Sequence, residues 1–216
     1  MFSEAINYEK QENYPEAQRL FAILAEHDTD YKHEILFHCG WCIECDPNSD
    51  TSEAHDYYRR AAELSHEVAF TMNSYFRLAW ISMGIGDYMR ATKELGHAIE
   101  LGKKEHKNCD IYHHALYWYS VCLEHSGQYI DALAGYREVQ VLSDALAMES
   151  KYREIVCLNN IGSYSDALKV CISVSPLPVH GSNERRFREI YSLIQTEREI
   201  LEKILAEGIL KNANKI

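Results

Sequence analysis

Proline and glycine are scarce in this chain, four and ten among 216 residues. With so few breakers, long helices can run uninterrupted. No run of about 18 apolar residues occurs, which excludes a membrane-spanning helix. The opening Met1-Phe2-Ser3-Glu4-Ala5 has no basic start and no apolar core, and Glu4 and Glu9 fall within the segment, so it does not read as a signal peptide. Basic side chains are outnumbered, 22 against 33 acidic ones, for a formal charge of −11 and a pI near 5.4. The densest basic group, Lys103, Lys104 and Lys107, is interrupted by Glu105. Without a basic stripe, neither nucleic acid nor an anionic membrane is expected as a partner. Catalytic signatures are missing too. Gly84-Ile85-Gly86 lacks the further glycine and the preceding strand of a nucleotide loop. There is no nucleophile elbow and no His-Glu-x-x-His. The expectation is a protein that is not an enzyme and holds no cofactor or metal.

What the chain does contain is an ordinary globular composition, 46% hydrophobic and 25% charged. Its seven cysteines sit among helical apolar positions, which reads as reduced thiols in a cytoplasmic protein. Internal repetition dominates. Ala17, Ala54, Ala91, Ala132 and Ala167 stand 37, 37, 41 and 35 residues apart. Each is followed by side chains four and seven residues on that share its helical face: Phe21 and Leu24, Tyr58 and Ala61, Leu95 and Ala98, Tyr136 and Val139, Cys171 and Val174. A tight turn precedes each alanine. Gly86-Asp87-Tyr88, Gly127-Gln128-Tyr129 and Gly162-Ser163-Tyr164 place glycine and tyrosine at fixed offsets, the glycine suited to a left-handed helix end. Asn13-Tyr14-Pro15 is the same turn without glycine, and Asp46-Pro47-Asn48-Ser49-Asp50 carries about two extra residues.

This period, with helical spacing inside it, means stacked two-helix units, none of which buries its apolar face alone. The spacing predicts helices over 2–12, 15–27, 31–45, 51–66, 69–84, 87–102, 108–125, 128–142, 146–160 and 163–174. The fold expected is all-α, a right-handed superhelical solenoid of five antiparallel helix pairs. The pairs occupy approximately 1–30, 31–67, 69–104, 108–144 and 146–175. Pro176 and Pro178 mark a linker over 176–182, and a long helix and tail occupy 183–216.

The chain resembles a tetratricopeptide repeat (TPR) protein. The resemblance is strongest over Tyr75-Phe76-Arg77-Leu78-Ala79 with Gly86, Tyr88, Ala91, Leu95, Ala98 and Leu101, then over Gly127, Tyr129, Ala132, Tyr136 and Leu142. The repeats here are longer than the family's period of about 34 residues. The resemblance implies a protein-interaction adaptor or scaffold whose partner, another protein or peptide, lies on the face made by the first helix of each pair. It places a ladder of aromatics there, Phe2, Phe37, Phe76, Tyr117 and Tyr152, with Ile6, Trp41, Trp80, Val121 and Val156 one turn on. His38, Asn73, Arg77, His114, Arg153 and Asn159 are expected to share this groove. Aromatic anchors bury large areas at modest entropic cost. The positions at which some relatives grip a carboxylate hold Phe2, Ile6, His38 and Arg77, so a carboxylate clamp is not expected. The same groove would equally suit a regulatory domain that senses a small peptide ligand.

Two clusters carry an alternative chemistry. Cys39, Cys42 and Cys45 share the spacing of an iron–sulfur run but lack its fourth cysteine. They would make a metal- or redox-responsive module, whereas helical burial makes them core thiols. His106, Cys109, His113 and His114 lack a second ligand pair at zinc spacing. The last helix has an apolar stripe of Phe187, Ile190, Ile194, Leu201, Ile204 and Leu205. It is read as a cap on the final repeat; the alternatives are an internal ligand of the groove or a homodimer contact.

Overall fold

The computed structural model describes residues 1–27, 30–104, 106–175 and 184–213, with side chains to 208. Eleven α-helices and no strand occur among them. They are α1 (Phe2–Lys10), α2 (Tyr14–Ala25), α3 (Lys32–Cys45), α4 (Thr51–Leu64), α5 (Val68–Gly84), α6 (Tyr88–Gly102), α7 (Asp110–His125), α8 (Tyr129–Leu142), α9 (Asp144–Asn160), α10 (Tyr164–Ser173) and α11 (Glu184–Ala213). The linker expected over 176–182 lies outside the described residues.

Turn chemistry sets the helix ends. Gly86, Gly127 and Gly162 have φ of 80°, 74° and 78°, the left-handed region that glycine enters without a Cβ clash. Each turn closes with one pair of backbone bonds, such as Gly86 N to Met83 O and Asp87 N to Ser82 O. These satisfy the last carbonyls of the preceding helix. The first turn makes the same pair, Glu12 N to Glu9 O and Asn13 N to Tyr8 O, with Glu12 holding φ at 58°.

The chain forms two compact units, Met1–Ala115 and Leu116–Ile216. In the first, every helix from α1 to α6 packs on the next. All five repeat alanines are fully buried, so helices approach closest where the side chain is smallest. Ala5, Ala17, Leu20, Phe21, Ile35, Cys39 and Cys42 make one core cluster, and Ile43, Ala54, Tyr58, Leu78 and Ile81 make the next. In the second unit α8 packs on α9, α9 on α10, and α11 on both α9 and α10. Its interior holds Tyr136, Val139, Ile155, Cys157, Cys171, Ile194 and Leu201.

Candidate functional site: the face of α1, α3 and α5

The odd-numbered helices of the first unit are joined by polar contacts that repeat. Glu9 on α1 meets Nδ1 of His38 on α3 at 2.7 Å, and the His38 ring stacks on Phe21 of α2 at 4.9 Å and 12°. One step along, Glu44 on α3 accepts from the Tyr58 hydroxyl of α4 at 2.8 Å and from Arg77 Nε of α5 at 3.1 Å. A second guanidinium nitrogen of Arg77 reaches the other Glu44 oxygen, a bidentate pair. The Arg77 guanidinium also lies over the Trp41 ring, 4.7 Å from its centroid. Burial, and then the neighbouring Glu44 carboxylate, push the Tyr58 phenol well up, so it stays a donor. Gly40 makes room for this ring: a Cβ there would stand 3.1 Å from Tyr58 Cε1.

The second unit builds the same joint from Glu124 on α7, Tyr136 on α8 and Arg153 on α9. Tyr136 Oη donates to Glu124 at 2.7 Å, and Arg153 donates to it at 3.0 Å. Its last step is different. Asn159 Nδ2 of α9 donates to Glu197 of α11 at 3.0 Å, and Arg186 of α11 pairs with Glu149 of α9.

These joints decide where an open surface remains. Phe37, His38, Trp41, Asn73 and Arg77 line one pocket of about 260 Å³ together with Glu9. Phe76, Trp80 and His114 make a second aromatic group, with Phe76 6.4 Å from the near-parallel Trp80 ring and 6.5 Å from His114. Trp80 is 41% exposed. In the second unit the expectation needs correcting. Tyr117 and Val121 are only 7% and 3% exposed and offer a partner no surface. Tyr117 packs edge-on against Tyr136 at 5.9 Å. Arg153 is committed to Glu124 and Asn159 to α11, while Tyr152 is half-buried.

Sequence reasoning missed the joints. The signal is a glutamate eight residues before the repeat alanine (ten where the turn is longer), an aromatic four after it, and an arginine or histidine 17 or 19 beyond the aromatic. Arg77 and Arg153 read as groove cations because only their helical position was legible. A second pocket, about 340 Å³, is lined by Phe2, Leu24, Tyr31, Glu34 and Ile35, of which the ladder of aromatics anticipated only Phe2.

Cys39 and Cys42 are core residues, and burial pushes the Cys39 thiol up to about 12 and raises Cys42 as well. A metal ligand must be a thiolate, and this environment opposes one. Among the described residues no three His, Cys, Asp or Glu side chains group to hold a metal. His113 and His114 diverge: His113 is buried with Nε2 at 3.0 Å from the Lys107 carbonyl, and His114 is exposed. Nor is any helix, among the described residues, long and apolar enough to cross a membrane.

No protein-family model matches the sequence, and no curated protein matches it. Solved structures do. A Podosopora anserina protein with nearly identical TPR-like repeats, assigned as a kinesin light chain, aligns over 91% of this chain and 93% of its own at 12% identity and TM-score 0.61. BtubC (BKLC) from P. vanneervenii aligns over 82% of each chain at 12% identity and TM-score 0.59. MamA of AMB-1 covers 78% of this chain and 91% of its own at 14% identity and TM-score 0.58. At such identities the likeness speaks for architecture alone, and that architecture is TPR-like.

Proposed function

We propose that the α1, α3 and α5 face of the first unit binds a segment of another protein, so that the chain works as an adaptor or scaffold. The observation that carries this reading is the pocket of about 260 Å³ with Phe37, Trp41 and Asn73 on its walls. Its polar groups, Glu9 with His38 and Arg77 with Glu44, are already paired within the fold. Such a surface selects for apolar anchors and backbone amides in preference to a charged end group. Phe76 and Trp80 extend it with aromatic area of the kind that dominates interface energetics. The excess of acidic residues favours a basic flank on the partner. Binding alone is the mechanism, through a backbone that is formed beforehand and so loses little entropy on association. The seven free thiols fit a reducing compartment such as the cytoplasm.

The test is selection of peptides from a random library, followed by calorimetric titration of the best binder against the Trp80→Ala protein. The expected loss is about 2 kcal/mol, roughly thirtyfold in affinity. Equal affinity in a variant of unchanged helicity places the site elsewhere and overturns the reading.

A further inference from the structure

The pocket of about 340 Å³ in the first unit contains a carboxylate with no counterpart. Glu34 of α3 is half-buried in a lining made otherwise by Phe2 of α1, Leu24 of α2, Tyr31 and Ile35. Among the described residues its side chain has no hydrogen-bond or ion-pair partner. Elsewhere in the fold a carboxylate set among aromatic rings is matched by an arginine. Glu44 takes Arg77, whose guanidinium lies over Trp41, and Glu124 takes Arg153 together with the Tyr136 hydroxyl. At Glu34 the carboxylate and the rings are present, and no described residue supplies the cation.

We propose that this pocket receives an arginine side chain of the bound partner segment, an inference that rests on the α1, α3 and α5 face being the binding surface. Charge is the first argument. An apolar side chain in the pocket would cover Glu34 and leave it uncompensated, and an acidic one would be repelled. A long cation instead lays its aliphatic stem along Leu24 and Ile35 and brings its head to the carboxylate. Arginine suits the site better than lysine, because its planar fork pairs twice with a carboxylate and stacks on rings such as Phe2 and Tyr31. The surroundings favour a cation too. Among the described residues of 1–4 and 24–35, Glu4, Glu26, Asp30 and Glu34 outnumber Lys32 and the amino group of Met1.

Continuity with the groove is the second argument. Phe2, a wall of this pocket, meets His38 edge-on at 6.2 Å, and His38 is a wall of the pocket of about 260 Å³. Along α3 the lining residues Tyr31, Glu34 and Ile35 are centred roughly 8 Å from Phe37, His38 and Trp41, at 1.5 Å per residue. About two or three residues of extended chain cover that distance. The segment expected therefore carries an arginine two or three positions from the apolar anchor that enters the neighbouring pocket.

Peptides selected from a random library on the native chain test this. The best binders are expected to share an arginine at that distance from an aromatic or aliphatic anchor. Citrulline in its place keeps the shape and removes the charge. That exchange is expected to weaken binding to the native chain about tenfold and to leave binding to the Glu34→Gln protein unchanged. Glu34→Gln loses no partner among the described residues, so native helicity is expected of it. Trp80→Ala should weaken both peptides alike, so the anchor and the arginine are read separately. Binders without an arginine at this spacing overturn the proposal and leave the groove reading standing. A citrulline loss that is absent, or equal in the two proteins, does the same. A library that yields no binder overturns both.

Discussion

The two units use the same side-chain grammar to different ends. In the first, the joints Glu9–His38 and Glu44–Tyr58–Arg77 draw charge out of the face while leaving Phe37, Trp41 and Asn73 around a pocket. In the second, Glu124–Tyr136–Arg153 repeats the joint, but the next step is made by the chain itself through Asn159 and Glu197. The position of α11 is that of one more first helix, packed on α9 and α10. One unit therefore leaves a pocket on this face, and the other covers its face with α11. The lesson is that a repeat's sequence does not by itself fix whether its face is open, because the following element decides.

The sharpest way to break the comparison is to remove one carboxylate from each unit. Glu44→Ala leaves Arg77 and Tyr58 without their acceptor, and Glu124→Ala does the same to Arg153 and Tyr136. Stranding a partly buried cation in this way costs about 3–5 kcal/mol. Urea denaturation is expected to register similar losses for both variants if the joints are equivalent. A loss confined to one unit shows that the likeness is geometric only.

A smaller effect tests how much α11 contributes. Ile194→Ala removes a fully buried side chain from the second unit and is expected to cost about 2–4 kcal/mol. Native-state hydrogen exchange should show the opening in α9 to α11 and leave α1 to α5 unchanged. Faster exchange in α3 or α5 contradicts the separation of roles.

Alkaline pH compares the two interiors with less force. Burial raises the thiols of Cys39 and Cys157 from 9.0 to about 12, one in each unit. Between those values the unfolded chain sheds protons that the folded chain retains, so stability is complete below 9.0 and falls as pH rises toward 12. Replacing either residue, Cys39→Ala or Cys157→Ala, should flatten this decline in denaturant titrations taken across the range. An unchanged slope means the thiols ionise as readily in the folded state.

The smallest expected change concerns the first turn. Glu12 holds a left-handed φ of 58° where the turns before α6, α8 and α10 have glycine. Glu12→Gly should stabilise the first unit by about 1 kcal/mol, seen as a higher Tm.

Most of the architecture was legible. The helix ranges read from the sequence fall within three residues of those observed, because the turns carry their own chemistry: a glycine with an alanine five residues on in three of them, and Pro15 two residues before Ala17 in the first. The buried alanines follow from the same periodicity. The site was legible only in part. Phe37, His38, Trp41, Asn73 and Arg77 share a pocket as their register implied, whereas Tyr117 and Val121 are packed away. Helical phase says which side of a helix a residue occupies, but it does not say what covers that side. The joints were illegible for a related reason. Glu44 and Arg77 are 33 residues apart and Glu124 and Arg153 are 29 apart, on different helices, so no local pattern links them. The exposure of Leu193 and Ile200 on α11 was not legible, because each is apolar and adjoins a buried apolar residue, Ile194 or Leu201.

The three-helix reach of Glu44 and Glu124 has a practical corollary for anyone recombining these repeats. Glu44 sits near the end of α3 and takes its donors from α4 and α5. Cutting between α4 and α5, the natural seam for swapping modules, therefore splits an ion pair and orphans its arginine. A graft will hold only if the incoming block ends in a carboxylate and begins with a cation, as though each hairpin were cast with a plug on one side and a socket on the other.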